Sequence, residues 1–288
     1  MSYNDAGSVD SRQTPLATAP RLAAQPFPPE GLKPLMTHFD FRRRAAAAGI
    51  HLLVSACVAG LAAVLVFGLW YPGAYRLLAG GQDLFFLVTS VDVFIGPLLT
   101  FAVFNLAKPR EELRRDLAIV VVIQLAALFY GLYTVYAARP IAMVFEVDRF
   151  RLVTASSVSR EDLPTAAPQY RTLPLSGPQL LGTRRPREGD ERNDALFKGV
   201  DGVDLGSRPL FWQPYDLSRA DVLARSWPLD ALRARYPNEA AGINEQVAAM
   251  EVEPAAARFL PVIARGDWVA VLDATGNVLG YLPLDGFL

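Results

Sequence analysis

The sequence predicts a membrane protein in which three transmembrane α-helices are followed by an α+β domain that closes with an antiparallel β-meander. Hydrophobic residues make up 52% of the 288 residues and the mean hydropathy is +0.22, high for a wholly soluble chain. They concentrate in three runs long enough to cross a hydrocarbon layer, which needs roughly 20 apolar residues at about 1.5 Å rise each. Beyond residue 137 the pattern changes to short apolar runs parted by glycine-bearing turns.

In chain order, residues 1–41 carry Pro15, Pro20, Pro26, Pro28, Pro29 and Pro34 among alanine, serine and glutamine, a composition expected of a disordered tail. The membrane unit, 42–137, has expected spans at 45–71, 84–104 and 117–137. A cleaved signal peptide fits the first span poorly, because it follows a long tail and exceeds an h-region in length. Arg42, Arg43 and Arg44 precede it, and Lys108, Arg110, Arg114 and Arg115 lie between the second and third spans. The loop PGAYRLLAGGQD contributes Arg76 alone. Positive-inside logic therefore puts the N-terminus in the cytoplasm and everything after Ala137 on the other side. Trp70, Tyr71, Tyr75, Tyr133 and Tyr136 suit the headgroup level on that side.

The stretch FFLVTSVDVFIGPLLTFAVF, residues 85–104, places Asp92 inside hydrocarbon, where a carboxylate costs at least ~2.5 kcal/mol unless it faces the bundle and finds a partner. Thr89, Asp92, Gly96 and Thr100 share one helical face, and Pro97 frees the carbonyl of Val93. The facing stripes are Ala56, Gly60 and Ala63 on the first span and Gln124, Ala127, Gly131 and Thr134 on the third. Depth counting sets Asp92 level with Ala63 and Phe129, so Tyr130 is the nearest hydroxyl and the expected partner, with Gln124 further in. Three readings of Asp92 stand at this point: internal packing, docking of another transmembrane helix, and a proton or ion relay. A relay calls for a chain of ionisable groups, and His51 lies well away in depth.

Residues 138–288 contain neither cysteine nor histidine. This excludes Ser/His/Asp and Cys/His nucleophilic centres and histidine-bearing zinc sites there, and leaves only carboxylate chemistry or hard-metal binding. Cys57 is the only cysteine in the chain, so no intramolecular disulfide forms. With a net charge of −1 and no long basic run, no nucleic-acid partner is expected. No cofactor, metal or enzymatic activity is expected either. AMVFEVDRFRLV reads as a hairpin turning at Asp148 and Arg149, and RFLPVIARGDWVAVLDATGNVLGYLPL as the three-stranded meander. Ser218 and Ser226 are expected N-caps, Pro228 suits a first turn, and 238–250 reads as a helix. LPTAAPQYRTLPLSGPQL is expected to run extended over the surface, and TRRPREGDERND to be a solvated charge run or a partner contact through Arg184, Arg185 and Arg187. In RPLFWQPYD, Phe211, Trp212 and Tyr215 pack under a loop or form an exposed binding patch.

Several stretches then fall into a known pattern: GIHLLVSACVAGLAAVLVFGLWYP, VDVFIGPLLTFAVFN, IQLAALFYGLYTVYAARPIAMVFEVDRF, LSGPQLLG and RPLFWQPY. In order over residues 42–288, the chain resembles the TfpX/TfpZ family of type IV pilin accessory proteins of the Gram-negative inner membrane. The resemblance implies a non-catalytic protein that binds the major pilin and assists its stabilisation or assembly, with the bilayer and inner-membrane pilus assembly machinery as further partners. It implies a periplasmic α+β domain and leaves the oligomeric state open. The alternative carried by the layout alone is a membrane-anchored periplasmic sensor or a transport-complex subunit.

Overall fold

The computed structural model describes residues 40–288, so the proline-rich segment lies outside the described residues apart from Asp40 and Phe41. Asp40 caps the first helix, α1 (Phe41–Leu65), its carboxylate accepting the Arg43 N–H at 3.3 Å. The helix runs on through a wide π-helical turn, Val66–Trp70, closed by the Tyr71 N–H on the Val66 carbonyl at 2.8 Å. A single turn, α2 (Tyr75–Leu78), leads to α3 (Gly81–Val103) and α4 (Arg110–Ala137). The three long helices, 30, 23 and 28 residues with the π turn included, are long and apolar enough to cross a membrane. They overrun the expected spans at their starts because residues such as REELRRD are good helix formers yet too charged for hydrocarbon. Glu111 and Glu112 also sit favourably at the positive end of the α4 dipole.

Two residues after α4 the chain enters β1 (Pro140–Glu146), which turns at Val147 and Asp148 into β2 (Arg149–Thr154). The expected hairpin is present, with Val147 outside the strand at φ 55°. β1 is buried along its whole length because it is sandwiched twice: laterally between β2 and β3 (Gln179–Thr183), and above and below by two apolar layers. A register shift near Pro140 and Ala142 lets Ile141 join Val144, Val153, Tyr170, Leu181 and Trp212 on one face. Met143 and Phe145 join Phe150, Leu152, Tyr215, Leu260 and Val262 on the other, with Leu78 of α2 reaching the same core.

The rest of the sheet is mixed, whereas the sequence pattern pointed only to hairpins. β3 pairs parallel to β1 and antiparallel to β4 (Trp212–Pro214), and β2 pairs parallel to β6 (Arg258–Ala264). The meander is as expected: β6 pairs antiparallel with β7 (Gly266–Leu272) and β7 with β8 (Val278–Leu282). The short β5 (Trp227–Pro228) also flanks β6. Between these strands lie α5 (Asp190–Val200), α6 (Arg219–Arg225), α7 (Leu229–Arg235) and α8 (Ala240–Ala248). Ser218 precedes α6 without a capping bond and takes the Gln213 amide instead, while Ser226 closes α6 rather than opening α7. Pro228 occupies the residue just before α7. The segment LPTAAPQYRTLPLSGPQL does not simply run extended over the surface: it forms a short 3₁₀ turn, Pro168–Tyr170, and buries Ala166 and Tyr170.

Polar contacts seat this domain on the helices. The Gly177 N–H donates to the Leu69 carbonyl at 2.8 Å and the Arg265 N–H to the Leu78 carbonyl at 2.8 Å, while within the bundle the Tyr71 hydroxyl donates to the Val135 carbonyl at 2.8 Å. Tyr75 and Tyr281 share a hydroxyl hydrogen bond of 2.8 Å, and Arg139 donates to the carbonyls of Tyr136 and Pro174.

Inside the domain, Arg208 is 2% exposed and donates to Asp162, itself buried, at 2.8 Å and to half-exposed Asp194 at 2.7 Å. Removing the buried partner strands a charge, which costs about 3–5 kcal/mol, whereas the exposed one matters little. Asp162→Ala should lower the unfolding free energy of the full chain in micelles by about 3 kcal/mol or more and Asp194→Ala by less than about 1 kcal/mol, read from denaturant titration of tryptophan fluorescence.

Candidate functional site

Helix α3 is the spine of the membrane unit, and α1 and α4 each pack along it. Phe85, Gly96 and Thr100 are buried on its inward stripe, with Thr89 and Asp92 half-buried between them. On α4 the inward stripe is Val120, Gln124, Leu128, Gly131 and Val135. Two glycines set the α3–α4 distance. A Cβ on Gly96 would overlap the Gln124 amide, and one on Gly131 would overlap Val88. The close approach at Gly96 lets the Gln124 Nε2 donate to the Asp92 backbone carbonyl at 3.0 Å. Tyr130, the expected partner, is 74% exposed on the outer surface of α4. The correction follows from α3 starting at Gly81, three residues before the expected span, which brings Asp92 nearly a turn closer to the level of Gln124. Gly60 also points outward with nothing near it; α1 packs through Ser55, Ala59, Ala62 and Val66, one position round from the expected stripe.

α1 and α4 meet chiefly near the domain, where Trp70 stands on Tyr136 with ring centroids 5.1 Å apart. Further from the domain they part, and the gap is a cleft of about 140 Å³. Val54, Ser55 and Val58 wall it on one side, Val121, Gln124 and Leu125 on the other, with Thr89 and Asp92 at its base. A cavity of this size admits a group about as large as an aromatic ring. The Asp92 Oδ2 is buried and has no hydrogen-bond partner among the described residues. His51 lines the same cleft at its far end, where its Nδ1 and the Thr100 hydroxyl lie 2.5 Å apart. Eight residues separate Thr100 from Asp92, about 12 Å of helix rise, so the two titratable groups share the cleft without touching. Chemically, the base of the cleft offers a hydrogen-bond acceptor in apolar surroundings.

In the outer domain the predicted contact residues divide. Phe211, Trp212 and Tyr215 are buried, so the patch reading of RPLFWQPYD is corrected to core packing. Trp212 donates from its indole to the Gly206 carbonyl at 2.7 Å, and the Tyr215 hydroxyl, its pKa pushed up to about 12 by burial, donates to the Gly276 carbonyl at 2.5 Å. Arg184 is spent internally: it holds Glu191 in a two-pronged bridge at 2.8 and 3.0 Å and covers the Phe211 ring at 4.9 Å. Arg185 and Arg187 remain exposed with no salt bridge among the described residues. The charge run that they open becomes helix α5. Burial raises the pKa of Glu146 despite the guanidinium of Arg151 beside it, which marks that pair as a structural clasp under the Gly206 N–H. Among the described residues no group of three or more His, Cys, Asp or Glu side chains converges as a metal site would require.

Against this geometry stand the known relatives. Over 249 residues the chain is 33% identical to the fimbrial assembly protein of serogroup I of Dichelobacter nodosus, covering 84% of this chain and 96% of that protein. It belongs to the fimbrial assembly protein family. The serogroup E1 protein of the same organism matches with the same identity and coverage, and the protein of serogroups C1 and C2 is 43% identical over 122 residues, 42% of this chain and 93% of that one. The family model of the fimbrial assembly protein FimB matches residues 39–80. No solved structure matches. The FimB match takes in α1, one wall of the cleft, and α2, which plugs into the domain core. The chain therefore pairs a bundle of three helices long and apolar enough to span a membrane, grooved on one side, with a mixed-sheet domain.

The sequence did not single out Val54, Ser55, Val58 or Leu125. The four-residue spacing of His51, Ser55 and Ala59 was the signal available for the α1 wall. Two outcomes test the arrangement. Gly131→Ala should destabilise the bundle by about 1–3 kcal/mol through overlap with Val88, and Val88→Ala should restore part of the loss, while Gly60→Ala stays neutral, all by unfolding in mixed micelles. In the domain, Arg184's hydrogen bonds hold the Glu191 pKa at about 2, below the ordinary 4.5. The pairing thus contributes fully above pH 4.5 and is lost as pH falls toward 2. Amide exchange across residues 190–200 should rise, relative to the rest of the sheet, only as that low value is approached. In Glu191→Gln it should already be raised at neutral pH.

Proposed function

We infer that this protein is an accessory protein for type IV pilin, of the kind the TfpX/TfpZ resemblance implies, and that it binds the major fimbrial subunit and assists its stabilisation or assembly without catalysis. The observation that carries the reading is the cleft between α1 and α4: an apolar groove within a membrane bundle, with one unsatisfied carboxylate oxygen at its base. In hydrocarbon such an oxygen is costly unless a donor reaches it, so the cleft suits a partner helix that lays an apolar face along α1 and α4 and brings one donor to Asp92. A fimbrial subunit that waits in the membrane on an apolar helix has the right form. In this reading the bundle sits in the inner membrane with its N-terminus cytoplasmic, as the arginines before α1 and between α3 and α4 favour, and the sheet domain stands in the periplasm beside the subunit's head.

A photo-crosslinking amino acid in place of Val58 or Leu125, inside the cleft, should capture the major fimbrial subunit in living cells. One in place of Tyr130 or Phe129, on the outer side of α4, should not. Asp92→Asn, which keeps the shape and replaces one acceptor oxygen with an amide donor, should reduce capture and piliation together. Equal capture from both sides of the bundle, or from neither, sinks the reading.

A further inference from the structure

Helix α5 is built inside out. Its polar stripe Glu191, Asp194 and Lys198, spaced by three and four residues, faces the domain and is tied there to Arg184, Arg208 and Glu161. Its apolar side chains face away: Leu196, Phe197 and Val200 are 62%, 73% and 87% exposed, and no residue of the helix is buried. An amphipathic helix normally buries its apolar stripe, and a cluster of large exposed apolar side chains on an otherwise ion-paired helix marks an interaction surface. The two-pronged Arg184–Glu191 bridge holds the helix in this orientation, and the more exposed Asp194–Arg208 and Lys198–Glu161 contacts lie on the same stripe, so the exposure follows from the fold.

The ground next to that face is basic. Arg192, one turn before Leu196, shares a cleft of about 530 Å³ with Arg184, Arg185 and Arg225. The acids lining it are Glu188 and Asp221, and Arg185, Arg192 and Arg225 enter no salt bridge among the described residues. Guanidinium groups from the β3–α5 loop, α5 and α6 outnumber the two carboxylates in this concavity, which leaves it net basic and favours carboxylates on a partner. The cleft also lies at the end of the sheet away from the membrane helices. β1 leaves α4 at Pro140 and β3 runs parallel to it, with Gly177 bonded to Leu69 before β3 begins and Arg184 after it ends. Six residue steps of strand carry the Val147 turn about 20 Å from the start of β1. A protein surface in the aqueous phase is therefore the occupant favoured over the bilayer.

We propose that the exposed face of α5 and the arginine cleft beside it form one docking surface for a protein segment with an apolar centre and carboxylates at its rim, supplied by the aqueous head of the fimbrial subunit. The last clause rests on the function proposed above; the surface itself rests on α5 and the arginines. Apolar burial over Leu196, Phe197 and Val200 supplies affinity, and the arginines supply orientation and on-rate, so binding weakens with salt.

The test uses the full-length protein in nanodiscs and the purified soluble head of the host's major fimbrial subunit as probe. Binding by wild type should fall tenfold or more in Leu196→Ser/Phe197→Ser and in Arg185→Glu/Arg192→Glu, with thermal unfolding of both variants unchanged because neither pair is buried. It should fall likewise between low and high salt. Binding that both double variants retain overturns the surface and leaves the intramembrane reading standing. No binding of the head by wild type, when the full subunit is still captured at Val58, also overturns the proposal; loss of that capture as well removes the proposed function itself. A spin label at Phe197→Cys in a Cys57→Ser background that proves accessible to lipid-dissolved oxygen rather than to aqueous nickel chelate would assign the face to the membrane and overturn the protein partner.

Discussion

Two residues separate the end of α4 from the start of β1, and the rest of the architecture follows from that short join. Ala138 and Arg139 leave no slack, so β1, an interior strand of the sheet, continues the last long helix. The Arg139 guanidinium locks the turn by donating to Tyr136 on the helix side and Pro174 on the domain side. Because β1 is buried on both faces, a tilt of α4 cannot be absorbed by bending the strand without opening two cores at once. Leu69, bonded by Gly177, and Tyr75 and Leu78, bonded by Tyr281 and Arg265, repeat the coupling from α1 and α2, which makes the seam a packed polar and apolar interface rather than a linker.

That seam also orders the two candidate surfaces. The helices are held together at the domain end by Tyr71, Phe85, Val135 and the edge-to-face pair Trp70 and Tyr136, and away from it α1 and α4 can part. Asp92 lies at the base of the opening. Within the domain, the direction imposed on β1 is inherited by its parallel neighbour β3, and the loop after β3 delivers the arginines and α5 to the end remote from the membrane. A partner with a membrane helix and an aqueous head would meet one surface with each part, and a rigid seam would fix the distance between them.

Much of this was legible in the sequence because the physics involved is local. Hydropathy over about 20 residues finds the spans, alternation and glycine turns find the β1–β2 hairpin and the meander, and small residues at helical spacing find Gly96 and Gly131. The contacts between elements were less legible. Depth counting put Tyr130 opposite Asp92, but a three-residue change in where α3 begins and a rotation of α4 choose Gln124 instead. Gly60 illustrates the same point on α1, where a stripe one position away is the one that packs. The parallel pairings of β3 with β1 and β6 with β2 join segments far apart in sequence and leave no local trace. Phe211, Trp212 and Tyr215 are flanked by prolines in the same way whether buried or exposed, and only the cores that receive them decide. Helix α5 went unseen because its inward stripe is charged and its apolar positions meet solvent, the reverse of the pattern by which helices are recognised.

The central claim is that bundle and domain move as one body, and a distance between them tests it most directly. Cys57, the single cysteine, is exposed on α1, and Ala274→Cys would place a second label in the exposed β7–β8 turn at the far end of the domain. Double electron–electron resonance on the doubly labelled protein in nanodiscs should give one narrow distance distribution, unchanged from detergent to bilayer. A broad or two-peaked distribution would mean that the seam bends, and the two surfaces would then have no fixed relation to each other.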